Sequence, residues 1–236
     1  MNTINRIFPV IVLCLMSILL IGQVIDDEPD FFKRLGDKSL ILHAEGMSRG
    51  SEQINSYISN FYEAEGDVKV YKKEFDIAVS PILSYEIGMI QTQNSTYSVM
   101  FLKRKDRPNK DIEFLVIHKQ SETKNSPSTI DDARNLWMKL CNQHKAAELV
   151  KRVYTEDAYH YNRGRLLQGT KDITQEYGYM NNERYSLQLT PKKVTLVDPD
   201  TAYEIGQCSG SYNKPYMLLW KRQEDGSWQV LMDSND

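Results

Sequence analysis

The sharpest acid in the chain is Glu204. It sits in Ala202-Tyr203-Glu204-Ile205-Gly206-Gln207-Cys208, whose alternation predicts a strand with Glu204 on the same face as Ala202, Gly206 and Cys208. Those small side chains line a cavity or leave room for a covering helix. A carboxylate desolvated there is a general acid or base, whereas on an outer face it is merely solvated, and alternation alone does not say which face is concave. His160 is a second acid–base candidate, with Asp157 three residues before it; its other reading is a surface or hydrogen-bonded histidine. Asp157 reads as an acid or as a turn-former or cap. Trp137 and Tyr177 can wall a ligand site or fill a core. There is no Ser-His-Asp spacing, phosphate loop or nucleotide fingerprint, and no Cys or His spacing of the metal-binding type, so neither a cofactor nor a metal is expected.

Glu204 has a twin. Tyr203-Glu204-Ile205-Gly206 repeats Tyr85-Glu86-Ile87-Gly88 at an offset of 118, which also carries Lys33-Arg34 onto Lys151-Arg152 and Lys103-Arg104 onto Lys221-Arg222; Gly50-Ser51-x-x-Ile54 matches Gly169-Thr170-x-x-Ile173 at 119. A colinear period of this length is that of a whole small domain, so the chain reads as two tandem copies of one domain. Twinning of Glu204 with Glu86 suits a structural role at least as well as a catalytic one.

The 236 residues are enough for two independent cores, and a net charge of −3 with scattered Lys and Arg lacks the basic footprint that nucleic acid requires. Arg6 followed by an apolar run from Ile7 to Gly22 has the layout of a secretory signal over residues 1–22, shorter than a comfortable membrane span. Export to the periplasm or the extracellular space is expected, with an N-terminal membrane anchor as the alternative; Leu13 is bulky for a lipoprotein site at Cys14. Beyond the leader only Cys141 and Cys208 remain, and geometry decides whether they pair. Asn94-Ser95-Thr96 matches a glycosylation triplet.

The polar stretch 121–129 is the linker between a first domain, residues 23–120, and a second, residues 130–236. The second opens with Thr129 and Asp132 spaced like a capping box, and Ile130, Ala133, Leu136, Trp137, Leu140 and Cys141 recur at helical spacing. A break at Asn142 to His144 precedes a second helix that buries Ala146, Leu149, Val150 and Val153 and ends in Tyr154-Thr155-Glu156-Asp157-Ala158. A strand follows, and then a short third helix that starts at Gly169-Thr170, with the threonine as cap. From Leu187 on, five period-two runs with turns at Asp198-Pro199-Asp200 and Glu224-Asp225-Gly226 predict an antiparallel meander. The first domain shows the same tail: a short helix from Ser51 to Tyr62 and strands over 68–75, 82–90, 97–103 and 112–118. A counterpart of the Trp137 helix is missing there, which marks the first copy as degenerate.

The Trp137 helix, Tyr154-Thr155-Glu156-Asp157-Ala158, Gly169-Thr170-Lys171-Asp172-Ile173, Ala202 to Gly206 and the ending Leu218 to Val230 together resemble the SnoaL-like branch of the nuclear transport factor 2-like superfamily, over almost all of residues 130–236. The resemblance implies an α+β fold of two cone-like domains, each a curved antiparallel sheet covered by helices. That superfamily hosts isomerases, dehydratases, cyclases and domains that only bind, so it implies no one reaction. The expectation is an exported module that binds a small apolar or aromatic ligand or associates with partners. An isomerase-, cyclase- or dehydratase-type enzyme using a carboxylate or histidine of the C-terminal pocket is the alternative. A third reading is a structural protein whose two domains pair through their sheets within one chain; the same sheets can also pair two chains as a homodimer.

Overall fold

The computed structural model describes residues 31–107 and 109–235. The leader and the stretch in which a counterpart of the Trp137 helix was sought lie outside those residues.

Two six-stranded mixed sheets share one topology, β2-β1-β6-β5-β4-β3 and β8-β7-β12-β11-β10-β9. The first comprises β1 (Leu35–His43), β2 (Gly46–Arg49), β3 (Val70–Ala78), β4 (Leu83–Gln91), β5 (Thr96–Arg104) and β6 (Ile112–Lys119), with α1 (Gly50–Glu65) packed on it. The second comprises β7 (Tyr154–Asn162), β8 (Arg165–Gln168), β9 (Leu187–Asp198), β10 (Thr201–Gly210), β11 (Pro215–Arg222) and β12 (Trp228–Ser234). Its helices are α2 (Asp131–Asn142), α3 (Ala146–Val153) and α4 (Thr170–Glu176), the last continued by a tight turn over Tyr177–Asn181. Each meander is antiparallel, and each opening strand closes its sheet by a parallel pairing, β1 on β6 and β7 on β12. The fold is α+β, as the repeat and its elements predict.

Several elements differ from their sequence readings. Tyr154 to Ala158 opens β7 instead of ending a helix, because β-favouring Tyr154 and Thr155 find a ladder partner in β12, where Tyr154 pairs with Val230. Its twin β1 and the hairpin strand β2 had no expectation at all. Leu187-Leu189 and Val194-Leu196 are one strand, β9, irregular in register where Pro191 and Lys193 meet β10. The capping-box reading fails: a tight turn over Pro127–Ile130 precedes α2, and the Ser126 hydroxyl accepts from the Ser128 amide. Thr170 is the first residue of α4, so the position before it falls to Gly169, whose φ of 85° suits glycine. Cys141 and Cys208 are buried free thiols, with Cys141 Sγ 3.8 Å from Met180 Sδ.

Each sheet is buried on both faces. On one face of the first, Ile41, Phe101 and Leu115 form a cluster with Phe31 and with Ile54 and Phe61 of α1; on one face of the second, Leu218 and Trp220 form a cluster with Trp137, Leu149 and Ile173 of its helices. The other two faces meet each other. Tyr85, Ile87, Met100, Leu102, Phe114 and Val116 of the first sheet form one apolar cluster with Tyr161, Tyr203, Ile205, Met217, Leu219 and Met232 of the second. The molecule therefore stacks as helix, sheet, sheet, helices. The Tyr and Ile of both Tyr-Glu-Ile-Gly copies point into this seam, and the equivalent strands β4 and β10 lie across it from one another. Each tyrosine also hydrogen-bonds into the opposite domain, though to different partners: Tyr85 Oη lies 3.1 Å from Ser234 Oγ, while Tyr203 donates to the Ser98 carbonyl at 3.1 Å and accepts from His118 Nδ1 at 2.9 Å. This is the self-complementary geometry of a two-fold pair, built within one chain.

Burial in this seam lowers the His118 pKa to about 4. Between that value and the ordinary 6.5 an unfolded chain binds the proton and the folded one does not, so stability falls as the pH drops through that window. A loss of up to about 3 kcal/mol is expected by pH 4, read from urea unfolding at several pH values. His118→Gln should flatten that slope; an unchanged slope would refute the assignment.

Candidate functional site

Glu204 is fully buried on the helix side of β10, and its carboxylate is saturated. Arg134 of α2 donates to it through Nε at 2.9 Å and Nη2 at 2.8 Å, Tyr216 through its hydroxyl at 2.6 Å and Trp220 through Nε1 at 2.9 Å. Burial pulls the Arg134 pKa down, and the hydrogen bond to Glu204 more than offsets it, leaving the guanidinium above its ordinary range. Burial and then Glu204 push the Tyr216 phenol up. With every lone-pair direction occupied, Glu204 joins a helix to the sheet and has nothing left for a substrate. Gly206, two residues on, shows why the motif needs glycine: a Cβ there would run into the Tyr216 ring that lies over the strand to reach Glu204. Gly88 does the same for Tyr71, which donates to Glu86, a Cβ there falling 2.6 Å from Tyr71 Cε2. The repeat thus encodes a buried carboxylate and the room for its tyrosine donor, which answers the choice left open for Glu204 in favour of structure.

His160 has a different setting. It is 1% exposed and lies beside Asp233, equally buried, in the parallel ladder of β7 and β12. Asp233 Oδ2 faces His160 Nδ1 at 3.3 Å, accepts from Tyr154 at 2.9 Å and accepts a short hydrogen bond from Tyr177. The two phenols are 3.1 Å apart. Burial, and then the carboxylate, hold both phenols well above their ordinary pKa, so they stay protonated donors. With Nδ1–H directed at Asp233, the basic nitrogen of the ring is Nε2. That atom and Asp233 Oδ1 are buried without hydrogen-bond partners, as is Nε1 of Trp137, whose ring packs on Tyr154. Orphaned polar atoms gathered in a dry core call for an explanation. His160 also belongs to the wall of a cleft of about 290 Å³, shared with Asn162, Arg163, Arg165, Leu167 and Glu176 at the β7–β8 hairpin and α4.

Of the residues singled out in the sequence, His160 and Tyr177 come together in this cluster. Trp137 packs edge-on against Tyr154, ring centroids 5.8 Å apart, as part of the same core. Asp157 does not join them: it is exposed on β7, beside Lys151, Lys171 and Lys221 in an open groove, and caps no helix. Asp233 and Arg134 went unread. The available signals were an acid ending the apolar run Val230-Leu231-Met232 and an arginine on the inward stripe of α2.

The twin domain supplies an internal comparison. Ile41 pairs with Leu115 in the first sheet as His160 pairs with Asp233 in the second, and Leu35 pairs with Ile112 as Tyr154 pairs with Val230. Ile58 of α1 stands where Tyr177 stands, at the offset that also relates Ile54 to Ile173. One architecture thus carries four apolar side chains in one copy and an Asp-His-Tyr-Tyr cluster in the other.

No family model matches the chain, and no curated protein does. Among solved structures, the chain is similar to a nuclear transport factor 2-like protein of unknown function from Shewanella oneidensis MR-1, 15% identical over 45% of this chain and 95% of that one, with a TM-score of 0.40. It is similar to a ketosteroid isomerase-like protein from Erwinia carotovora atroseptica SCRI1043, 17% identical over 48% of this chain and 95% of that one, with a TM-score of 0.39. A domain of unknown function with a cystatin-like fold from Nostoc punctiforme PCC 73102 is 16% identical over 48% of this chain and 78% of that one, with a TM-score of 0.41.

Proposed function

We propose that the C-terminal domain binds a small molecule at the cleft headed by His160 and exchanges a proton with it through Nε2, with Asp233 orienting the ring and Tyr154 and Tyr177 fixing Asp233. The N-terminal domain acts as a built-in partner that covers the second sheet. The observation carrying this reading is the internal comparison. A buried carboxylate, imidazole and two phenols cost desolvation that the fold does not require, since the twin holds Ile41, Leu115, Leu35 and Ile58 at the same places. Polar groups retained against that cost are the mark of a working site. The Arg6-flanked apolar run supports export of the mature chain.

The test replaces the cluster with its apolar counterpart. His160→Ile, Asp233→Leu, Tyr154→Phe and Tyr177→Phe together are expected to leave the domain as stable as wild type, or more so by about 1–4 kcal/mol, in urea unfolding. The conservative His160→Asn keeps shape and removes the base. Small molecules released by denaturing the protein from its native host, identified by mass spectrometry, should be present for wild type and missing for both variants. A four-fold variant that loses several kcal/mol while His160→Asn keeps the released compound would make the cluster structural and defeat the reading.

A further inference from the structure

We infer that the molecule taken by the His160 cleft is a small diol, its hydroxyls on adjacent or alternate carbons. The inference rests on the binding reading above and adds the chemical class of the ligand. It comes from the hydrogen bonds that one face of the β7–β8 hairpin leaves unmade.

That face carries four side chains of the cleft. His160 stands directly opposite Leu167 and Asn162 directly opposite Arg165, while Tyr161 and Leu166 between them turn to the seam. α4 packs against both strands and brings Glu176 to the same cleft. A ligand held there lies along β7, with the imidazole at the inner end and the amide at the outer end. The cleft, at about 290 Å³, is at the small end of ligand sites.

Both ends present acceptors. With Nδ1–H spent on Asp233, His160 Nε2 accepts; Asn162 Oδ1 is also buried without a partner, its amide nitrogen being given to Asn235 at 2.9 Å. Alternate residues of a strand are roughly 6.6 Å apart. Two hydrogen bonds of ordinary length converging from that spacing meet donors on adjacent or alternate carbons of one small molecule.

Arg165 identifies the outer donor. Its guanidinium is paired with Glu176 at 3.1 Å, which matches its charge and leaves it further N–H donors. A group set between Asn162 Oδ1 and that guanidinium donates to one and accepts from the other, which a hydroxyl does and an ammonium does not. At the inner end Leu167 faces the carbon skeleton and makes no hydrogen bond, so the ligand owes only a donor to Nε2. An amine there would arrive protonated, a second cation in a narrow cleft with Arg165, so this donor is a hydroxyl too, and its proton is the one Nε2 exchanges.

The same hairpin in the first domain satisfies itself. Ile41 and His43 hold the places of His160 and Asn162, and Ser48 holds that of Leu167. His43 Nε2 lies 3.0 Å from Ser48 Oγ, and the Glu45 amide donates to His43 Nδ1 at 3.3 Å. Polar groups serve one another in that copy; in the second they are left for a ligand.

Ligand-observed NMR titration of the full chain with 1,3-propanediol, meso-2,3-butanediol and cis-1,2-cyclohexanediol tests this. Each is set against its monomethyl ether, which keeps both oxygens but one donor, and against the amino alcohol of the same skeleton. At least one diol is expected to bind about tenfold or more tightly than both of its comparison compounds, since each comparison leaves a buried acceptor unpaired or adds a charge. Asn162→Leu should bring that diol and its ether to within about twofold of each other, a change in ratio that a merely structural role would not produce. His160→Asn should abolish binding. Ethers or amino alcohols that bind as well as the diols and are lost in His160→Asn, or a diol preference that survives Asn162→Leu, would overturn the ligand class while leaving the His160 site standing. If none of these diols binds, the ligand class falls, and the compound released from the native protein then decides separately whether the His160 site stands.

Discussion

Glu204→Ala is expected to destabilise the C-terminal domain by about 3–5 kcal/mol, because removing one partner of a buried ion pair leaves the other charged and unpaired. Here the abandoned charge is Arg134, whose other carboxylate contact, Asp131, is half exposed at 2.5 Å. The Tyr216 hydroxyl and Trp220 Nε1 lose their acceptor in the same step. Glu204→Gln should do little better, since half of the amide presents donors to groups that are themselves donors. By contrast, Glu204→Leu combined with Arg134→Met removes both charges and should recover much of the loss, though the tyrosine and tryptophan donors stay unserved. Urea midpoints for the three variants separate these cases. A Glu204→Ala protein within 1 kcal/mol (roughly) of wild type would show that the pair does not hold α2 to β10.

A second large effect is expected from cutting the chain in the linker. A fragment of residues 121–236 retains all three helices of its domain but uncovers the face of Tyr161, Val197, Tyr203, Ile205, Met217, Leu219 and Met232. A contiguous apolar patch of that kind is not left facing water in a soluble monomer. The seam is pseudo-symmetric, so a second copy of the fragment offers nearly the surface that was removed, and the fragment should run as a dimer or larger in analytical ultracentrifugation. Ile205→Lys in the fragment should oppose this. A folded fragment that is monomeric at high micromolar concentration would contradict the role given to the N-terminal domain.

Much of the architecture was legible in the residues because the two copies annotate each other. Tyr85-Glu86-Ile87-Gly88 and its twin fall at the same place in two sheets of the same order, and the α3 stripe of Ala146, Leu149, Val150 and Val153 is the buried stripe found. What escaped was whatever two-sided burial hides. Met100-Phe101-Leu102, Leu115-Val116-Ile117 and Met217-Leu218-Leu219 are unbroken apolar runs, the mark of strands covered on both faces, and they signal the seam more clearly than any alternation does. A strand before the short helix is expected, but the opening of β7 reads as helix because its parallel partner, β12, lies about 70 residues further on, and nothing local announces a ladder of that span. The candidate site was half legible. His160 and Tyr177 could be named by type, but Asp233 and Tyr154 join them only through that same distant pairing.

The seam also sets a timetable. The first domain is complete when β6 ends at Lys119, yet the face of Tyr85, Ile87, Met100 and Phe114 has no cover until the second sheet exists. At the usual pace of ~5–20 residues per second the ribosome needs roughly 6–23 s to add the remaining chain. For that interval each nascent molecule displays a sticky half-built surface, and neighbouring ribosomes on one message hold several of them close together. The Lys119 to Thr129 tether, laid along the second domain through Ser121 N to Val197 O and Asn125 to Pro199 O, then gives the late sheet a head start over strangers. Slowing translation of the second half should therefore lower the yield of soluble protein even though no residue has changed.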